Sequence, residues 1–189
     1  MNTNLTDRYD RLYKEALSSL DRSILFTSRV HGVGHIERVI NLGAHVAQNE
    51  SLDDNETKML LFCCSYHDIG RHSDWLDRKH GSKSARLLEK GKVKGFINSF
   101  DEEDRRIILA SIAAHSDSDK KLPSYEVKYG VSQHSKYETI SSCLKDADNL
   151  DRVRLKDLNV KYLRHEKSIA LAIYAQELFD SCSHGNHQS

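Results

Sequence analysis

Apolar residues recur along this chain with a period near 3.6 in most segments between polar breaks, and no segment shows the period of two that marks a half-buried strand. The pattern predicts an all-α fold, a compact helical bundle. A first helix is expected over about residues 5–20. The loop "TSRVHGVG" follows, with two glycines for the turn, and a second helix starts at His35 with Ile36, Val39, Ile40, Gly43, Val46 and Ala47 on one stripe. At "DDNE" Asp53 can cap a third helix and Glu56 can complete a capping-box-like pair. That helix runs through "MLLFCCS", apolar almost all round, to "YHDIG", which marks it as central and buried with Gly70 as its stop.

Downstream, "GSKSARLLEK" reads as a short helix and "GKVKG" as a loop. "SFDEEDRRIILASIAAHS" opens with acids suited to a helix N-terminus and puts Ile108, Ile112 and His115 on one face. The stretch "DSDKKLPSYEVKYGVSQHS" has no strong period and holds the only proline, so a lid or binding loop is expected there. "KYETISSCLKDADNLDRVR" aligns Ile140, Cys143, Leu144, Ala147 and Asp148, and "HEKSIALAIYAQELFDS" gives an amphipathic last helix. Residues 183–189, "SHGNHQS", are expected to be a frayed tail.

A chain of 189 residues suits one domain with a real core, taken as 1–189. With 28 basic and 28 acidic residues mixed along it, no charged stripe points to nucleic acid or a membrane surface. No apolar run approaches the roughly 20 residues that span a bilayer, and "MNTNLTDRYD" has no signal-peptide character, so a soluble cytoplasmic protein is expected. Cys63 and Cys64 are adjacent in an apolar segment, and Cys143 and Cys182 stand alone, which suggests buried thiols rather than a zinc pattern or disulfides.

Histidine changes the picture, with eleven residues against one proline and one tryptophan. Asp148 continues the stripe of Leu144 and Ala147. A buried carboxylate without a partner costs several kcal/mol, so it must be neutralised, paired with an arginine or bound to a metal. Asp146 lies about 200° round the same helix, so the two cannot share one small ion without distortion. His115 ends the apolar stripe of its own helix, although a single histidine there is more often a hydrogen-bonded core residue. His67 and Asp68 close the buried third helix, where unpaired carbonyls and the negative dipole end favour a cation. A protonated His67 would serve that end and leave Asp68 unexplained.

His31 and His35 have the four-residue spacing of two imidazoles sharing a metal on a helix. Gly32 and Gly34 argue against helix between them, and no HExxH is present. His35 is the better ligand candidate, and His31, in the preceding loop, the better placed to meet a substrate. His80 reads on spacing alone as a surface loop residue. Helix positions that ought to be apolar thus carry His or Asp, and the simplest common cause is one metal centre between helices.

"HIERV" at 35–39, "YHDIGR" at 66–71 and "DADNLD" at 146–151 together resemble the ordered H…HD…D pattern of the HD-domain superfamily of metal-dependent phosphohydrolases, over about residues 25–175. The resemblance implies an HD-type helical fold with metal ligands His35, His67, Asp68 and Asp148, the last chosen over Asp146 by its A-D-x-L context. Two-metal members add two histidines between the doublet and the final aspartate, an interval held here by His80 and His115. One or two ions per chain are therefore expected.

Mixed imidazole and carboxylate ligands suit Mn²⁺, Fe²⁺, Co²⁺, Ni²⁺ or Zn²⁺ better than Mg²⁺. The expected activity is hydrolysis of a phosphate ester or phosphoanhydride in a nucleotide or other small phosphorylated metabolite by metal-activated water. Asp68 and His67 are the catalytic candidates, Asp68 as ligand and proton acceptor together. His31, Arg71 and Lys145 are candidates for phosphate binding, against the plainer reading of each as a solvated cation. Two rivals remain: a di-iron oxygenase, which some two-metal members of that superfamily are, and a non-catalytic nucleotide-binding regulatory module. His45, His72, His134, His165, His184 and His187 receive no role.

Overall fold

The computed structural model describes residues 4–184. Of the expected tail, Ser183 and His184 end a helix, and the remainder lies outside the described residues. The described residues form an all-helical bundle without a strand.

Helix α1 (Asp7–Ser19) lies across the core through Leu12 and Tyr9, whose hydroxyl donates to the Leu52 carbonyl at 3.0 Å. Helix α2 (Val33–Asn49) starts two residues before the expected His35. Its N-cap is Gly32, where a Cβ would lie 2.1 Å from the Ser28 carbonyl oxygen, so only glycine lets the chain enter the helix there. Helix α3 (Asp54–Tyr66) carries the expected capping box: Asp53 accepts from the Glu56 N–H at 2.8 Å and Glu56 accepts from the Asp53 N–H at 3.1 Å. Both α2 and α3 are apolar on most faces because both are covered on most sides.

Gly70 serves the turn after α3 by closeness to a neighbour rather than by a left-handed backbone. A Cβ there would sit 2.5 Å from the Ser84 nitrogen and 2.7 Å from the His80 oxygen, both in α4 (His80–Glu89). The loop "GKVKG" follows, with Gly91 and Gly95 at positive φ, and then a short α5 (Phe96–Ser99) that periodicity did not reveal. Helix α6 (Glu102–Ala114) is capped by Asp101, which accepts from the Asp104 N–H at 2.8 Å.

The stretch expected as a lid is instead a 3₁₀ turn and helix α7 (Leu122–Tyr129) packed on α6. Its proline falls in the first turn, where no N–H is needed, and Gly130 ends it at φ +65°. Helix α8 (His134–Leu150) buries Ile140, Cys143, Leu144 and Ala147 completely, as the stripe predicts, and continues into a 3₁₀ turn at Asp151–Leu155.

The expected last helix is broken into α9 (Glu166–Ile169) and α10 (Ala172–His184). Fully buried Asp146 accepts the Arg164 and His165 backbone N–H groups at 2.8 and 3.0 Å, which ties α9 to α8, while α10 packs on the 151–155 turn and α2. Cys63, Cys64 and Cys143 are buried, but Cys182 is exposed on α10. No helix among the described residues is long and apolar enough to cross a membrane.

Candidate metal centre

Helix ends meet at one end of the bundle. The first turn of α2 supplies His35, the C-cap of α3 is His67 with Asp68 next, α4 begins with His80, α6 is capped by His115, and Asp148 lies in the last turn of α8. The C-terminal ends of α3 and α6 contribute negative dipole ends and the N-terminal ends of α2 and α4 positive ones, so the side chains decide which charge the site favours.

His35 Nε2 lies 3.5 Å from Asp148 Oδ1 and 3.7 Å from Asp68 Oδ2. His67 Nε2 lies 3.7 Å from Asp148 Oδ1 and 3.9 Å from Asp68 Oδ1. Donor atoms each about 2.0–2.2 Å from one ion stand roughly 3–4 Å apart, so the four spacings fit a shared cation. His35 Nε2, His67 Nε2 and Asp68 Oδ1 are buried with no hydrogen-bond partner, an arrangement that costs free energy unless something else meets them.

The other imidazole nitrogens show the same design. His35 Nδ1–H donates to Asp151 at 2.7 Å, His67 Nδ1–H to the Cys64 carbonyl at 3.0 Å, His115 Nδ1–H to the Ile112 carbonyl at 2.7 Å, and His80 Nδ1–H to the Asp77 carbonyl. With each Nδ1 committed as a donor, each Nε2 turns a lone pair inward, as metal-ligating histidines do. His80 corrects the surface reading: it is buried, its Nε2 lying 3.1 Å from Asp68 Oδ1 and 2.8 Å from His115 Nε2. Two lone pairs cannot face each other at that distance without a proton or a cation between or beside them. His115 Nε2 in turn lies 3.7 Å from Asp68 Oδ1, so Asp68 stands between the His35, His67 and Asp148 group and the His80 and His115 pair. Buried His and Asp groups able to hold a metal ion are therefore present.

Charge follows geometry. Burial disfavours the Asp68 anion, yet His67, His115, His31 and His80 around it hold the carboxyl well below its usual range. The Asp148 carboxyl is likewise held well below that range, burial again being outweighed by His67 and His35. Burial pushes His35 down, with Arg154 adding to the effect, and takes His115 to about 4. Burial opposes the charged form of His67 as well, but Asp68 and Asp148 carry it above the ordinary histidine value. His35 and His115 are thus favoured neutral and Asp68 and Asp148 ionised, the forms a divalent ion needs, while His67 between two carboxylates would exchange its proton for the ion.

Asp148 joins the His35 and His67 group and Asp146 does not, and their burial is the reverse of the expectation. The Asp148 side chain is 30% exposed at the mouth of the cluster, while Asp146 is covered by the returning 159–168 segment and has its oxygens filled by Arg164 and His165. His31 is buried in the loop before α2, with Nδ1 3.5 Å from Asp68 and accepting from Arg154 at 3.2 Å. Arg71 donates to Asp68 Oδ2 at 2.8 Å and is part-buried rather than solvated. Lys145 does not join them: its buried ammonium donates to the Asp117 carbonyl at 2.8 Å and to Asp119 at 2.7 Å, fixing the turn after His115.

The sequence reading passed over three residues. Asp151 is fully buried and orients His35 while accepting from Arg38 Nε and Nη2 at 2.5 and 2.9 Å; Arg154 lies 3.4 Å from it. Spacing carried a signal, since Asp151 is three residues after Asp148 and Arg38 three after His35.

Comparison with known proteins returns nothing: no family model, no curated protein and no solved structure matches this chain.

Proposed function

We propose that this chain is a metal-dependent phosphohydrolase acting on a phosphate ester or anhydride of a nucleotide or other small phosphorylated metabolite, in line with its resemblance to the HD-domain superfamily. The observation that carries the reading is the convergence of the partnerless His35 Nε2, His67 Nε2 and Asp68 Oδ1 beside the Asp148 carboxylate. His35, His67, Asp68 and Asp148 would hold one divalent ion, and Asp68, His80 and His115 offer donors for a second. Their mixed nitrogen and oxygen donors suit Mn²⁺, Fe²⁺, Co²⁺, Ni²⁺ or Zn²⁺. Such an ion would supply Lewis acidity, lowering the pKa of water and polarising a phosphoryl oxygen.

The chain's own groups fit an anionic substrate. Three guanidiniums stand among the three carboxylates, Arg71 on Asp68 and both Arg38 and Arg154 on Asp151, while Asp148 stands beside imidazoles, so little negative charge is left over before an ion enters. A bound divalent ion leaves excess positive charge that a phosphate group neutralises. His31, held by Arg154 and standing 3.5 Å from Asp68, is near enough to the centre to meet a phosphate oxygen. Arg71 is held beside Asp68 in reach of the same group. Asp68, ionised and buried, serves as ligand first; as proton acceptor its low affinity for protons demands a strongly acidified water.

The test is metal-dependent release of phosphate or pyrophosphate across a panel of nucleotides and sugar phosphates, with metal content measured on the same samples. Release abolished in Asp68→Ala supports the reading; no release from metal-loaded protein contradicts it. The meeting of His80 and His115 at Asp68 also suits a di-iron oxygenase, which oxygen uptake by iron-loaded protein with an organic substrate would reveal.

A further inference from the structure

The loop between α3 and α4 leaves the metal cluster and returns to it. Arg71 at its start pairs with Asp68 at 2.8 Å, and His80 just past its end lies 3.1 Å from the same carboxylate. Between them the loop carries Trp75 and Leu76, which are 81% and 84% exposed. Burying a large apolar side chain is favourable, so leaving two neighbours in water forgoes a sizeable stabilisation. A single exposed apolar residue needs no explanation, but an adjacent pair on an anchored loop does.

The anchors lie on both sides of the pair. Asp74 accepts from the Ser28 hydroxyl at 2.5 Å. Asp77 accepts from the Lys79 N–H at 2.9 Å and from the Lys83 ammonium at 2.7 Å, and its carbonyl receives the His80 imidazole N–H. Ser28 precedes His31 by three residues, and His31 Nδ1 is 3.5 Å from Asp68. Trp75 therefore follows directly on a residue tied to the His31 side of the cluster. Trp75 is four residue steps from Arg71, at most about 14 Å when extended. The pair therefore sits on a loop tied down on both sides, each of whose ends reaches the Asp68 cluster.

The same loop carries the cations Arg71, Arg78 and Lys79. A flat apolar ring exposed on a loop that also carries cations, and whose two ends reach a phosphate-attracting centre, matches a nucleotide, with the ring for the base and the cations and the centre for the phosphate. We propose that Trp75 is the stacking platform for the base of a nucleoside phosphate whose phosphate reaches the Asp68 cluster, with Leu76 flanking the base. The proposal rests on the reading of that cluster as a phosphate-processing metal centre.

Trp75 is the only tryptophan of the chain, so intrinsic emission reports this residue alone. Metal-free and zinc-loaded protein are titrated with AMP, ATP, ribose 5-phosphate and inorganic phosphate, with affinities also measured by calorimetry. AMP and ATP are expected to quench Trp75 saturably, while ribose 5-phosphate and phosphate compete with AMP and leave the emission unchanged. Trp75→Ala is expected to weaken AMP binding roughly 5- to 100-fold, the loss that follows removal of one base–aromatic stack, and to spare ribose 5-phosphate. Trp75→Phe restores most of the affinity. Emission that ignores bound AMP, or equal weakening of AMP and ribose 5-phosphate, overturns the platform. So does emission that changes with protein concentration alone, which would mark a surface for a second copy of the chain. Metal content and phosphate release are read on the same preparations. Retained metal and turnover with a silent Trp75 refute the platform alone; absence of metal and of binding to all four probes refutes the proposed function with it.

Discussion

Asp151→Asn is the most informative single change, because it replaces one carboxylate oxygen by a donor and keeps the size of the side chain. Asp151 is fully buried and receives three N–H groups, from His35 at 2.7 Å and from Arg38 at 2.5 and 2.9 Å. Asparagine accepts at one oxygen only, so at least one of those donors is turned against an NH₂ group. Losing the carboxylate that orients a metal-ligating imidazole costs about 10- to 100-fold in metal affinity, or about 1.4–2.7 kcal/mol. Folding suffers separately, since removing one charge of a buried pair costs about 3–5 kcal/mol. Arg38 also lies over the Phe179 ring at 5.1 Å, which favours the lower end, near 3 kcal/mol. At about 2–4 °C per kcal/mol for a chain of this size, the metal-free Tm should fall by roughly 6–12 °C. Chelator competition reads the first effect and calorimetry of the metal-free protein the second. Wild-type behaviour in chelator competition would refute the orienting role of Asp151; an unchanged metal-free Tm would refute the buried-charge argument.

Three further outcomes follow from the packing. Gly81→Ala puts a Cβ 2.6 Å from the Ile112 carbonyl oxygen and 2.9 Å from His115 Nδ1. It should destabilise the fold by about 1–3 kcal/mol and weaken occupancy of the His80 and His115 side, read by denaturant titration and metal content. His45, buried beside Tyr174, has its pKa pushed down to about 4 by burial. The unfolded chain therefore binds a proton between about pH 6.5 and 4 that the folded chain refuses, and stability is lost as pH falls through that window. Urea titrations of wild type against His45→Phe should show about 2 kcal/mol of that loss at pH 5 and none above pH 7. Asp53→Ala removes the α3 cap, and a loss of about 1 kcal/mol with unchanged metal content is expected in the same titration.

The local signals were legible in the sequence and the non-local ones were not. The α3 cap is written in four consecutive residues, and the His67–Asp68 doublet at the end of an apolar run already implied a polar group at a buried helix end. His80 was misread because its burial comes from α4 packing on α6, which the close approaches at Gly70 and Gly81 permit and no neighbouring residue announces. Helix α7 was missed because it buries no residue fully and shows no apolar stripe, although its proline and Gly130 were valid start and stop signals. The stripe on α8 placed Asp148 in the core, whereas the 159–168 segment covers Asp146 and leaves Asp148 at the mouth, where an ion can reach it. Asp151 escaped notice because it stands just past the helix end, so its partnership with His35 depends on how α2 crosses α8.

The proposed function stands on an ion held by His35, His67, Asp68 and Asp148. Elemental analysis of tag-free protein, purified anaerobically without chelators and set beside a folded His67→Ala, Asp68→Ala double variant, tests it most directly. About one or two transition-metal ions per chain are expected in the wild type and none in the variant. A folded wild type that holds no metal even after Mn²⁺, Fe²⁺ and Co²⁺ are supplied, or a double variant that retains the full complement, would contradict it.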